Sequence, residues 1–349
     1  MLSRVANTLY WMMRYVERAD NLARLIDVNQ QLLLDFESLD SERLSGFWRP
    51  IILSTGDESA FNELYDEASS DNVISFLTKD TRNPNSIFSC INFARENARM
   101  IRDQISDELW EEINALYLFS KSDEALRLLK DNPPRLYENV RRASMTVLGI
   151  SASTTPRDTV WDFKSLGRYL ERADKTTRFL DIATYFPKGQ KGIELSSPGV
   201  LHWSAILRSC GAMGAFRATR NEITAHSVTE FLIFSPDFPR SVRYCIGKIN
   251  STLHRISGSS HGTFSSEAER LTGRMLADLS FGDPENIEKM GLHNYLDAVQ
   301  AKLNEIAEEV FATYVLLPEV IPDAPLVSSP EATAPAVETR QPLQQQQGQ

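Results

Sequence analysis

The stretch RYVERADNLARLID at residues 14–27 returns as RYLERADKTTRFLD at residues 168–181. Eight of the fourteen positions are identical: Arg14/Arg168, Tyr15/Tyr169, Glu17/Glu171, Arg18/Arg172, Ala19/Ala173, Asp20/Asp174, Arg24/Arg178 and Asp27/Asp181. Ordinary residue usage gives about one match by chance. A true duplication must leave further matches at nearly the same offset, and it does. A shift of 155 pairs Trp48 with Trp203, Ile51 with Ile206, Ser54 with Ser209, Gly56 with Gly211, Pro84 with Pro239, Ser86 with Ser241 and Cys90 with Cys245. The chain therefore reads as two related halves, 1–153 and 154–318. The simplest expectation is one body in which the halves pack about a pseudo-twofold axis.

The repeated motif has helical period. At 100° per residue, Trp11, Tyr15, Val16, Ala19, Leu22 and Ile26 gather on one side, and Arg14, Glu17, Arg18, Asn21 and Arg24 form a stripe on the other. A charged stripe ordinarily faces water, laced with ion pairs worth about 0.2–0.5 kcal/mol each. The two copies argue otherwise. Arg, Glu, Arg, Asp, Arg and Asp recur unchanged, while Val16 becomes Leu170, Leu22 becomes Thr176 and Leu25 becomes Phe179. Exposed charges tolerate exchange and core volumes do not, so the stripe is expected to turn inward. No Lys replaces an Arg among the matched positions, which points to forked or stacked guanidinium geometry.

Two explanations of inward charge remain open: a buried ionic lock that fixes register, or convergence of both copies on an anionic ligand. The candidate binding residues are Arg14, Glu17, Arg18, Arg24, Arg168, Glu171, Arg172 and Arg178. Arg95 and Arg99 join them from ARENARMIRD at 94–103, where Arg95, Arg99 and Arg102 share one helix face. The paired positions in the second half are Asn250, His254 and Ser257, so this basic element is not duplicated.

Elsewhere the pattern is helical and sustained strand alternation is scarce. Long periodic segments run at about 3–38, 84–104, 134–152, 160–184, 238–258 and 285–316. Asn83-Pro84, Ser197-Pro198 and Asp283-Pro284 read as helix starts, and Thr55 with Glu58 as a capping box. With 42% apolar and 24% charged residues, the expected fold is an all-α helical bundle over 1–318. A proline- and glutamine-rich tail at 319–349 is expected to be disordered.

A net charge of −10 argues against a nucleic-acid binder. No apolar run is long enough for a membrane span, and charges interrupt residues 1–20 where a signal peptide would need an apolar stretch. Three cysteines make no disulfide framework, so a cytoplasmic protein is expected. Cys90 and Cys245 read as core residues. Phosphate-binding, dinucleotide, nucleophile-elbow and metalloprotease motifs are all missing. His202, His226, His254, His261 and His293 are scattered, without metal-ligand spacing. No cofactor, metal or catalytic residue is assigned.

Three segments carry a family resemblance: LSRVANTLYWMMRYVERADNLARLID, NPNSIFSCINFARENARMIRDQISDELW and GRYLERADKTTRFLD. Together they resemble the bacterial alpha-E domain family, a predicted α-helical domain with a repeated Glu-Arg motif, over about residues 1–316. Glu17-Arg18 and Glu171-Arg172 correspond to that motif. The segment GISASTTPRDTVWDF departs from the acidic, glycine-containing stretch associated with relatives. The resemblance implies companionship with a circularly permuted ATP-grasp protein and a transglutaminase-like peptidase, in systems that ligate amino acids or short peptides.

On that basis the expected function is an accessory subunit of an ATP-grasp amide-ligase system. It would bind an anionic small molecule, a peptide or the ligase itself through the Glu-Arg clusters. The alternatives are an enzyme acting on amide bonds with Glu17 or Glu171 as acid/base, and a purely structural helical scaffold. Arginines beside those glutamates would lower their pKa, which weakens the enzyme reading.

Overall fold

A computed structural model describes residues 3–37, 48–185 and 197–315. Among these, every regular element is a helix. The first half contains α1 (Ser3–Glu37), α2 (Arg49–Thr55), α3 (Glu58–Leu64), α4 (Ser70–Thr78), α5 (Ile87–Met100), α6 (Asp107–Ser120), α7 (Asp123–Asp131) and α8 (Pro133–Thr154). The second contains α9 (Thr159–Tyr185), α10 (Ser197–Ser209), α11 (Met213–Thr219), α12 (Ala225–Phe234), α13 (Val242–Ser257), α14 (Glu267–Ser280), α15 (Glu285–Met290) and α16 (Leu292–Tyr314). The tail expected at 319–349 lies outside the described residues.

The helix starts follow from short polar side chains. Ser69, Ser86, Ser106, Ser122, Asn132, Ser241 and Ser266 each accept a hydrogen bond from the backbone N–H three residues on. Such a cap is worth about 1 kcal/mol. These caps correct one of the expected starts. Asn83 makes a local turn, accepting from the Asn85 N–H and donating to the Phe76 carbonyl, and α5 begins beyond Pro84 under the Ser86 cap. Pro239, the partner of Pro84, likewise precedes the Ser241 cap of α13.

Thr55 closes α2 and bonds back to the Ile52 carbonyl, so it forms no box with Glu58. The reciprocal box occurs instead at Thr224 and Ser227 of α12. Asp283 does accept from the Glu285 N–H. The segment expected at 285–316 is cut at Gly291, whose φ of 85° suits glycine.

Two long helices form the centre. α1 packs chiefly on α9, with α5 and α8 against α1 and with α13 and α16 against α9. The shorter helices cross between the halves, α10 touching α1 and α2 touching α9. Contacts climb α1 and α9 in step, from Tyr10 beside Gly167, to Arg14 beside Glu171, to Glu17 beside Arg172, so the two helices run in the same direction. Gly167 permits the closest approach: a Cβ there would lie 2.1 Å from the Tyr10 carbonyl oxygen. Both central helices are covered nearly all round, which buries Glu17 and Glu171 completely and leaves most of the stripe's arginines only a narrow exposed edge.

Candidate functional site

The stripes of α1 and α9 face one another. Glu17 accepts from Arg172 Nε and Nη2, both at 2.8 Å. Arg240 Nη1 lies 3.0 Å from its carboxylate and Arg168 Nε 4.0 Å. Glu171 accepts from Arg14 Nε at 2.7 Å and from Arg18 Nε and Nη2 at 2.6 and 2.9 Å. Lys175 Nζ stands 3.7 Å away. Both glutamates are fully buried. The pairing is crossed: neighbours in one Glu-Arg dipeptide do not bond each other, and the Glu of each copy takes the Arg of the other.

Two acids flank this core. Asp20 receives Arg24 at 3.0 Å and Arg240 at 2.6 Å. Asp174 receives Arg178 at 2.9 Å and Lys175 at 3.1 Å. Arg178 also reaches over Gly56 to donate to the Ser54 carbonyl at the end of α2. Arg24 lies against Gly211, where α10 ends. At Gly56 a Cβ would crowd the guanidinium at 3.1 Å, whereas at Gly211 it would meet Arg24 only at an ordinary contact distance of 3.5 Å.

Sequence reasoning missed Arg240 and Lys175. Aligning the repeats puts Lys175 where the first half has Asn21, and Arg240 where it has Asn85. For Lys175 the signal available was a neutral-to-cationic change beside the retained Asp174; Arg240 has no retained carboxylate beside it in sequence and carried no such signal. Each glutamate thus has three cations around it, and the second half supplies both extra ones. Asn85 keeps a role on its side, accepting from Arg18 and donating to Asp57.

Burial alone would raise the glutamate pKa values, but the guanidinium charges outweigh it. Arg172 and Arg240 hold Glu17 well below the usual carboxylate range, and Arg18 and Arg14 do the same for Glu171. Arg168 is the least compensated cation. Burial and the neighbouring Arg172 push its pKa down, and its Nε has no hydrogen-bond acceptor among the described residues. Its counterpart Arg14 has the Tyr10 hydroxyl as a further acceptor, but Lys164 replaces Tyr10 in the second half and turns to Thr155.

Arg95 and Arg99 are not brought to this seam. Both bond Glu96 on their own helix, and Arg95 also stacks over Trp110 and Tyr117 of α6. Arg99 is 59% exposed. Cys90 and Cys245 are buried, and burial pushes both thiols up to about 12, so neither is poised as a nucleophile.

The crossed pair gives physical content to a family match. Residues 1–315 match Alpha-E, described as a predicted alpha-helical domain with a conserved ER motif. The chain belongs to the Alpha-E family. Its two ER dipeptides, Glu17-Arg18 and Glu171-Arg172, are the residues that join α1 to α9. Uncharacterized proteins of Mycobacterium bovis and Mycobacterium tuberculosis are each 25% identical to this Alpha-E chain over 345 residues. The alignments cover 90% of the chain and 37% of each relative, so the chain spans little more than a third of their length. No solved structure matches it. Among the described residues no helix is long and apolar enough to cross a membrane.

Proposed function

We propose that this Alpha-E chain is a non-catalytic binding component of a cytoplasmic ATP-grasp amide-ligase system, one that takes an anionic group at the seam between α1 and α9. The anion is a carboxylate or phosphate borne by a peptide, a small product or the ligase. The observation that carries the reading is a charge imbalance. Eight cations (Arg14, Arg18, Arg24, Arg168, Arg172, Lys175, Arg178, Arg240) line the seam against four carboxylates, Glu17, Asp20, Glu171 and Asp174. Unneutralised cations held out of water are unfavourable, and an anion relieves them. Glu17 and Glu171 are engaged by guanidiniums and held ionised, which suits orienting arginine forks better than accepting a substrate proton.

The ATP-grasp association rests on the family resemblance. Affinity capture from the native cell should recover an ATP-grasp protein together with this chain, and Arg168→Met should weaken phosphate or carboxylate binding in calorimetry. Failure to recover any ligase-like protein, with no measurable anion binding, would sink the proposal.

A specific observation favours a second reading, a structural scaffold. The bidentate Glu17–Arg172 contact is dry and geometrically complete. On that reading Glu171→Leu combined with Arg14→Met and Arg18→Met, which strands no guanidinium while Lys175 keeps Asp174, leaves the fold about as stable and affects no ligand. Melts of this triple variant with and without phosphate separate the two readings.

A further inference from the structure

Asp27 and Asp181 are the last retained charges of the repeated motif, and the halves satisfy them differently. Asp27 meets Arg141 of α8 at 3.3 Å and accepts from Gln31 at 3.1 Å. Asp181, near the end of α9 and almost wholly buried, meets no guanidinium among the described residues. Its Oδ1 lies 2.8 Å from His293 Nδ1, in the first turn of α16. One helical turn further on, Asp297 places Oδ2 3.5 Å from His293 Nε2. One ligand atom from each of the three residues lies within 4.8 Å of the others.

Charge is out of balance here too, with the opposite sign to the seam. Two carboxylates share one imidazole, and among the described residues no Lys or Arg nitrogen comes within 4.0 Å of either. Even a protonated His293 leaves one negative charge uncompensated. The surroundings resemble those of a ligand set. Thr184 and Tyr185 hydroxyls donate to the two Asp181 oxygens at 2.9 and 3.2 Å and fix that carboxylate, as outer partners of metal ligands do. His293 and Asp297 are 45% and 57% exposed, so an ion can enter from solvent and both side chains can turn to meet it.

We propose that Asp181, His293 and Asp297 bind a divalent transition-metal cation of the zinc type, tying the end of α9 to the start of α16. One imidazole and two carboxylates suit such an ion. At ligand bonds of about 2.0–2.2 Å the donor atoms stand about 3.4 Å apart; Asp181 already faces His293 Nδ1, and the exposed Asp297 side chain must swing from the Nε2 side of the ring toward Nδ1 to complete the site. Three protein ligands leave a tetrahedral ion one position for water. The sequence did not suggest this site because its nearest ligands on different helices are 112 residues apart. It shares no residue with the seam and stands or falls independently of the anion-binding proposal.

Calorimetry with Zn2+ alone on the full chain, and visible absorption with Co2+ alone, test it. One equivalent of Zn2+ should bind, Co2+ should give a tetrahedral spectrum, and the melting temperature should rise with Zn2+. His293→Gln and Asp297→Asn should each weaken binding by about 100-fold or more, with circular dichroism unchanged. His261→Gln, an exposed histidine on the α13–α14 loop, should change nothing. The proposal is overturned if no saturable binding occurs, or if His293→Gln with Asp297→Asn still binds one equivalent. It is overturned equally if Zn2+ leaves the melting temperature of the unaltered chain unchanged, which would make the cluster an ion pair alone.

Discussion

The α1–α9 seam and the α5 face present arginines and glutamates at similar helical spacings, yet they are different physical objects. On α5, Glu96 serves Arg95 and Arg99 on its own helix, with the carboxylate 36% exposed. Water competes for every donor there, and such a pair contributes about 0–1 kcal/mol. In the seam, Glu171 serves Arg14 and Arg18 from another helix with no water-accessible surface. Removing one member there strands the others. The residue types matter less than whether the partner lies on the same helix or across a buried interface.

The widest separation between the two regions should come from deleting a carboxylate. Glu171→Gln keeps the shape but leaves Arg14, Arg18 and Lys175 facing a neutral amide. The expected loss is about 3–5 kcal/mol in urea unfolding, while Glu96→Gln on α5 should lose under about 1 kcal/mol. Similar losses at the two sites would break the contrast.

That contrast also marks what the sequence made legible. The all-α fold and the long central helices follow from period and capping residues. The inward turn of the stripe is readable because one chain holds two copies in which charges stay and apolar residues drift. The partners from outside the motif are less legible. Arg240 reaches Glu17 from the loop before α13, and Asn85 reaches Arg18 from the loop before α5. Such loop placements are tertiary facts that helical periodicity does not encode. Arg95 and Arg99 looked like seam residues because spacing alone does not distinguish a local ion-pair face from a convergent one.

Acid should act on the two regions unequally. The seam glutamates have folded pKa values well below the unfolded value of about 4.3. Their stabilisation is therefore fully present above that value and is lost as pH falls through it toward the folded values. Stability should drop steeply below about pH 4. The Glu171→Gln chain should show a shallower slope there, having one fewer proton to take up on unfolding. An unchanged slope would mean that other carboxylates govern the acid limb.

Packing supplies a smaller test of the same interface. Gly167→Ala adds one methyl group where α1 and α9 cross, against Tyr10 backbone atoms at 2.1 and 2.9 Å. Backbone does not step aside as a flexible side chain does, so the helices must separate. A loss of about 1–3 kcal/mol is expected, and the crossed Glu–Arg distances should lengthen with it. Gly149→Ala on α8, where an added Cβ meets nothing within 4 Å, should be neutral or slightly stabilising. Equal effects at the two glycines would mean that the close approach of α1 and α9 is not under constraint.

The smallest effect is expected at Arg99, and it bears on function as well as stability. Arg99→Ala removes a contact in which Nε and Nη2 both donate to Glu96 Oε2 and which is open to solvent on both sides. The melting free energy should change by less than about 0.5 kcal/mol, with the residual effect shrinking further at high salt. If anions bind only at the seam, phosphate affinity in Arg99→Ala should match that of the unaltered chain, while Arg168→Met lowers it. A clear loss of anion binding in Arg99→Ala would assign the α5 face a ligand role that its local ion pairs do not require, and would join the two regions into one site.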